Sequence, residues 1–128
     1  MANIPADLMY STEHEWVKLE GNVATVGVTD YAQEQLTDIV FVELPEIGRV
    51  VKSGEAVAVL ESVKSVSDVY SPTTGEISGI NEELENHPER INEDPFGEGW
   101  VFKLKTTATS FPGMMDASAY EAYLKDQE

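Results

Sequence analysis

The chain has 128 residues, 41% of them hydrophobic and 25% charged, which is the length and composition of a single globular domain with its own core. It contains no cysteine, so a disulfide framework, a cysteine nucleophile and a thiolate metal site are all excluded. The 24 acidic residues against 8 basic ones give a net charge of -16, which argues against binding nucleic acid or anionic membrane, because both need clustered Lys and Arg.

Charge of this sign serves solubility, or steers the chain toward partners with basic docking faces. The opening MANIPADLMYSTEHEW has neither the basic start and apolar run of a signal peptide nor the Arg-rich, acid-poor character of a transit segment. The expected location is therefore cytoplasmic, with a processed mitochondrial form as the other option.

In chain order, residues 16–19 and 23–28 are β-rich runs on either side of Gly21-Asn22, a hairpin signal. Thr29 and Asp30 are helix N-cap candidates, with Gln33 three residues past Asp30, and the helix should end near Thr37 or Asp38. Residues 39–44 form another β-rich run, closed by the turn signal Pro45-Glu46-Ile47-Gly48. Residues 54–63 lead up to Lys64, and residues 66–72 and 75–80 lead away from it, all with strand-like alternation. The two halves mirror each other about Lys64, which predicts two facing sheets in a flattened barrel or sandwich. A short helix over 82–85, a loop from His87 to Pro95, a strand over 100–105 and a small-residue flexible linker over 106–113 follow. Residues 116–125 read as a closing helix, with Ser118 and Glu121 in capping-box spacing and Ala119, Tyr120, Tyr123 and Leu124 as a core-facing stripe.

A lysine at a hairpin tip is ordinarily just a solvated charge. Lys64 differs in sitting at the centre of a symmetric strand pair, where its amine is open to a modifying enzyme. His14 lies between Glu13 and Glu15, but strand alternation turns neighbours apart, so a structural or surface histidine is favoured over a metal cluster. Gly75 and Gly79 fit backbone turns rather than phosphate binding, since no helix follows at phosphate-loop spacing. Neither a Ser-His-Asp arrangement nor a phosphate loop supports a stand-alone enzyme.

Glu61-Ser62-Val63-Lys64, with Ser67-Asp68-Val69-Tyr70-Ser71-Pro72 and Gly75-Glu76-Ile77, closely resembles the lipoyl-attachment region of the glycine cleavage system H protein family. Further blocks are similar in the same order: Tyr10-Ser11 with His14-Glu15-Trp16, residues 28–33, residues 40–45, and Asp94-Pro95-Phe96-Gly97 with Gly99-Trp100. The resemblance implies a barrel-sandwich hybrid of the lipoyl and biotinyl carrier type, mainly β with flanking helices. Residues 1–128 would form a single carrier domain, with a lipoyl hairpin over about 54–81 and a C-terminal helix over about 116–126.

The function implied is that of a non-catalytic carrier with lipoate attached covalently to Lys64. It would shuttle the aminomethyl group of glycine among a pyridoxal-phosphate glycine decarboxylase, a tetrahydrofolate-dependent aminomethyltransferase and dihydrolipoamide dehydrogenase. Glu15, Asp68, Glu13 and Ser67 are the candidates for holding the loaded arm, and Glu61 for recognition by the lipoate-attaching enzyme. A monomer without nucleic-acid or membrane partners is expected. A biotin carrier would resemble its family in having methionines beside the lysine, where this chain has Val63 and Ser65. A lipoyl domain of a 2-oxo acid dehydrogenase would lack the Trp16 block and the C-terminal helix. A carrier that relays lipoyl groups to other complexes would share the hairpin, and only its partners would tell it apart.

Overall fold

The computed structural model describes residues 3–127. In chain order the strands are β1 (Met9–Tyr10), β2 (Glu15–Glu20), β3 (Val23–Val28), β4 (Ile39–Glu43), β5 (Val50–Val51), β6 (Ala56–Ser62), β7 (Val66–Tyr70), β8 (Gly75–Ile80) and β9 (Phe102–Lys105). The helices are α1 (Asp30–Leu36), α2 (Glu83–Asn86), α3 (Arg90–Glu93) and α4 (Ala117–Gln127). One sheet runs β1-β2-β3-β9-β8-β5 and the other β4-β6-β7, with every pairing antiparallel. Among the described residues no helix is long and apolar enough to cross a membrane.

One buried cluster draws on both sheets, joining Val42, Leu60 and Val69 of the smaller to Val26, Ile77 and Leu104 of the larger. The mirror pattern about Lys64 now has a physical meaning. On either side of the Lys64 hairpin the chain crosses between sheets, from β5 to β6 before it and from β7 to β8 after it. The two corners are bonded to each other, because Gly54 N donates to Ser71 O at 2.8 Å and Ser71 N donates to Glu55 O at 2.9 Å. Gly54 takes a φ of +83°, a left-handed turn that glycine adopts without strain.

A second cluster covers the outer face of β1 and β2, where Tyr10 and Trp16 pack with Tyr120 and Leu124 of α4. Trp16 lies across Gly27, its partner in β3, so closely that a Cβ there would stand 2.7 Å from the indole. The indole N–H donates to Pro95 O at 2.9 Å, which satisfies its one polar group inside the cluster.

The structure departs from the sequence reading over residues 87–95, over 106–113 and at α4, and it decides between the two cap candidates at α1. Residues within the expected loop from His87 to Pro95 wind into α3, because Ile91 is drawn fully into the core and Arg90 N bonds back to His87 O. The stretch over 106–113 is packed rather than free: Phe111 is buried, and buried Thr106 donates to Thr74 O at 3.0 Å. Asp116, not Ser118, caps α4, accepting from Ala119 N at 2.8 Å. Ala119 points to solvent, so the buried stripe of α4 is made by Tyr120 and Leu124. At α1 the cap is Thr29, which accepts from Ala32 N, while Asp30 instead accepts from the Gln33 side chain.

Candidate functional site

Lys64 stands at the tip of the β6–β7 hairpin, and one serine organises that tip. Ser62 Oγ accepts from Lys64 N at 3.3 Å and from Ser65 N at 3.0 Å, while Ser62 N donates to Ser65 O at 2.8 Å. Such side-chain-to-backbone bonds close a tight turn without help from solvent. The tip is also tethered to its neighbour, since Val63 N donates to Asp38 O at 3.1 Å. Asn92 holds that neighbour in turn, accepting from Ile39 N and donating to Thr37 O. The backbone beneath Lys64 is therefore fixed from three directions.

The Lys64 side chain is exposed, and its amine has no hydrogen bond or ion pair among the described residues. Val63 and Val66 beside it are 67% and 64% exposed, an apolar collar around the one cationic group. Glu61, half-buried, pairs with Phe41 on one side and Val66 on the other, so all three share the outward face of the small sheet. Ser67 pairs with fully buried Leu60 and faces inward.

Asp68 pairs with Val59 on the outward face and lines a groove of about 400 Å³ with Glu43, Glu46 and Arg49. Glu13 and Glu15 lie elsewhere. They line a cleft of about 380 Å³ between the β1–β2 loop, the two sheet-crossing corners and Pro112–Met114. The lysine hairpin does meet Glu15, but through the backbone of Tyr70, two residues beyond Asp68.

Glu15 is 4% exposed, yet both its oxygens are bonded: Oε2 accepts from Tyr70 N at 2.6 Å and Oε1 from Ser11 Oγ at 2.9 Å. Burial pushes its carboxyl up to about 7, against the pull of those two hydrogen bonds, with exposed Glu13 adding a smaller push. The cleft thus ends in a buried acid poised to change charge near neutrality. A cation entering the cleft would favour its ionised form.

Behind the cleft, His14 adopts a φ of +66°, a left-handed conformation that costs a side-chain-bearing residue about 1 kcal/mol or more. Burial lowers its imidazole, opposed by Glu13, and burial pushes the Tyr120 phenol up to about 12. A neutral ring and a neutral phenol therefore meet at 2.9 Å. Of the two roles the sequence favours for it, structural or surface, His14 takes the structural one.

Residues 8–127 match the family model described as glycine cleavage H-protein. The chain belongs to the glycine cleavage H-protein family. The glycine cleavage system H protein of Symbiobacterium thermophilum is 53% identical over 127 residues, covering 98% of this chain and 99% of that protein. The H protein of Rubrobacter xylanophilus is 49% identical over the full length of both. A crystal structure of the H protein from Mycobacterium marinum superposes with a TM-score of 0.88 at 37% identity, covering 95% of this chain and 99% of that one. The barrel-sandwich carrier fold read from the family blocks is thereby confirmed. The family match spans both the Trp16 block and α4.

Three contributors to the cleft were missed from the sequence. Ser11 was within reach of inference, since it sits four residues before Glu15 across a tight turn. The Tyr70 N–H had no signal, because a backbone donor carries no residue type. Pro112 and Gly113 belong to the stretch over 106–113 that reads as a linker, and Met114 directly follows it.

Proposed function

We propose that this chain is the lipoyl carrier of a glycine cleavage system, working as one domain over residues 1–128. Lys64 is the attachment residue. The observation that carries this reading is an exposed amine, unpaired among the described residues, on a turn pinned by Ser62 and Asp38. A modifying enzyme meets a presented nucleophile there and disturbs no internal bond in reaching it. Glu61, three residues before Lys64, is half-exposed on the outward face of the small sheet beside Val66, where the same enzyme can read it.

When attached, the lipoyl group supplies a disulfide that takes up the aminomethyl carbon of glycine and is re-formed by oxidation. The work of this chain is to present and to protect. It presents the arm to the pyridoxal-phosphate decarboxylase, then to the tetrahydrofolate-dependent aminomethyltransferase, then to dihydrolipoamide dehydrogenase. The apolar collar of Val63 and Val66 needs no desolvation of charge when the tip docks at the mouth of a partner's active site.

Protection falls to the cleft. An aminomethyl thioether is stripped by water to formaldehyde, ammonia and free thiol. Six residues of near-extended chain from Lys64 to Tyr70 span at most about 20 Å. A lysyl arm with the lipoyl chain and a terminal one-carbon amine has about sixteen bonds and a similar extended length. Its ammonium end is thereby matched to Glu15, whose buried carboxylate gives a charge-assisted hydrogen bond, with Glu13 adding negative potential at the rim. Asp68 and Ser67 flank the path along β7 rather than its end.

The test is exchange of the glycine carboxyl with labelled bicarbonate on the cognate decarboxylase. The lipoylated chain should support exchange and the unlipoylated chain should not. No exchange with an active decarboxylase would overturn the reading.

A further inference from the structure

We infer that His14 is a positioning residue: its ring, held by α4, fixes the left-handed turn that delivers Ser11 and Glu15 to the cleft. The inference rests on the reading of that cleft as the resting place of the loaded arm.

The loop from Ser11 to His14 is a bulged hairpin connection, closed by His14 N to Ser11 O at 3.1 Å and Ser11 N to Glu15 O at 3.0 Å. Its last residue needs φ > 0, a position that glycine or asparagine ordinarily fills. Histidine there must be held by something else. The ring packs against Tyr31 at 4.8 Å and against Tyr120 and Tyr123, each at 5.9 Å between centroids. Its Nδ1 meets the Tyr120 hydroxyl at 2.9 Å, and that hydroxyl meets Thr29 Oγ1 at 2.7 Å. Thr29 is itself the cap of α1, and its N–H donates to His14 O at 3.0 Å. The chain of bonds thus runs from α4 through one phenol to the strained residue and back to the sheet.

The same segment of chain grips the loop at a second point and supplies the opposite wall. Tyr123 donates to Thr12 O at 3.3 Å, and Met115 exchanges two backbone bonds with Tyr10 at 2.7 and 2.8 Å. Pro112–Met114, just before, face Glu15 across the cleft. Within the loop, Ser11 Oγ accepts from Glu15 N at 3.1 Å and donates to Glu15 Oε1 at 2.9 Å. Any shift of the turn at His14 therefore moves both groups that define the end of the cleft. The ionisable groups facing Glu15 there are Glu13 of the same loop and Tyr70 of β7.

Two substitutions separate positioning from mere packing. Tyr120→Phe removes one oxygen and keeps the ring stacked on Tyr10, now at 4.6 Å and 7°. His14→Gly keeps the left-handed turn without strain and removes the ring. In the unlipoylated full-length chain, the Glu15 carboxyl is followed by NMR titration. In the lipoylated, reduced chain treated with formaldehyde and ammonia, release of formaldehyde is timed after dilution. Both variants should fold, should bring the Glu15 midpoint down toward the ordinary carboxylate range, and should speed release about ten-fold. Wild-type titration in both variants would overturn the inference. Glu15→Gln, run beside them, tests the underlying reading separately: if it leaves release unchanged, the cleft does not hold the amine, whatever the titrations show.

Discussion

Lys64→Arg is expected to abolish carrier activity completely while leaving the melting temperature within about 2 °C of the parent. The side chain is exposed and unpaired, and the bonds that shape the turn come from Ser62, the Lys64 backbone N–H and Asp38. An arginine keeps the charge and the backbone donor, so the fold loses nothing it uses. It does lose the amine proposed for acylation, because a guanidinium stays protonated and is no nucleophile at physiological pH. Exchange of glycine carboxyl with bicarbonate should fall to the carrier-free background, with thermal unfolding followed in parallel. Exchange above that background, or a drop of many degrees in melting temperature, would show that Lys64 is not a freely presented attachment site.

Glu15→Gln is expected to stabilise the protein above neutral pH and to make little difference near pH 4. Burial raises this carboxyl from its ordinary value of 4.5 to about 7. Between those values the folded chain keeps a proton that the unfolded chain has already released. Stability contributed by the protonated acid is thus fully present below 4.5 and is lost as pH rises toward and through 7. Above that window the buried charge costs up to about 3 kcal/mol, from the gap between 4.5 and 7 at 1.36 kcal/mol per pH unit. Glutamine carries no charge at any pH, and its amide oxygen can still accept from Tyr70 N. The variant should therefore melt several degrees higher at pH 8, about 3 to 5 °C for each kcal/mol recovered, and nearly level with the parent at pH 4. An offset of equal size at both pH values would show that Glu15 is not a desolvated acid.

The frame of this fold was legible because its signals are local. Gly21-Asn22 between two alternating runs specifies a hairpin whatever surrounds it, and the structure pairs Glu20 with Val23 across that turn. The symmetry about Lys64 was legible for the same reason, since each sheet-crossing corner is marked by its own turn residues. What stayed hidden depends on distant partners. Nothing near Ile91 announces α3, which forms because that side chain finds the core. Phe111 is a lone apolar residue among small polar ones, and only its burial shows that 106–113 is packed. Glu15 was identifiable by type and by family block, but its burial against the backbone of Tyr70, 55 residues away, carried no local signal. Strand parity counted from buried Val69 puts Asp68 on the outward face of the small sheet, where the structure pairs it with Val59.

Attachment at Lys64 can be read from the intact mass of full-length protein produced with lipoate and a lipoate-attaching enzyme, measured beside Lys64→Arg. The native chain should gain the mass of one lipoyl group, and the variant should keep its unmodified mass. A native chain that gains nothing, or a variant that still takes up the group, would contradict attachment at Lys64.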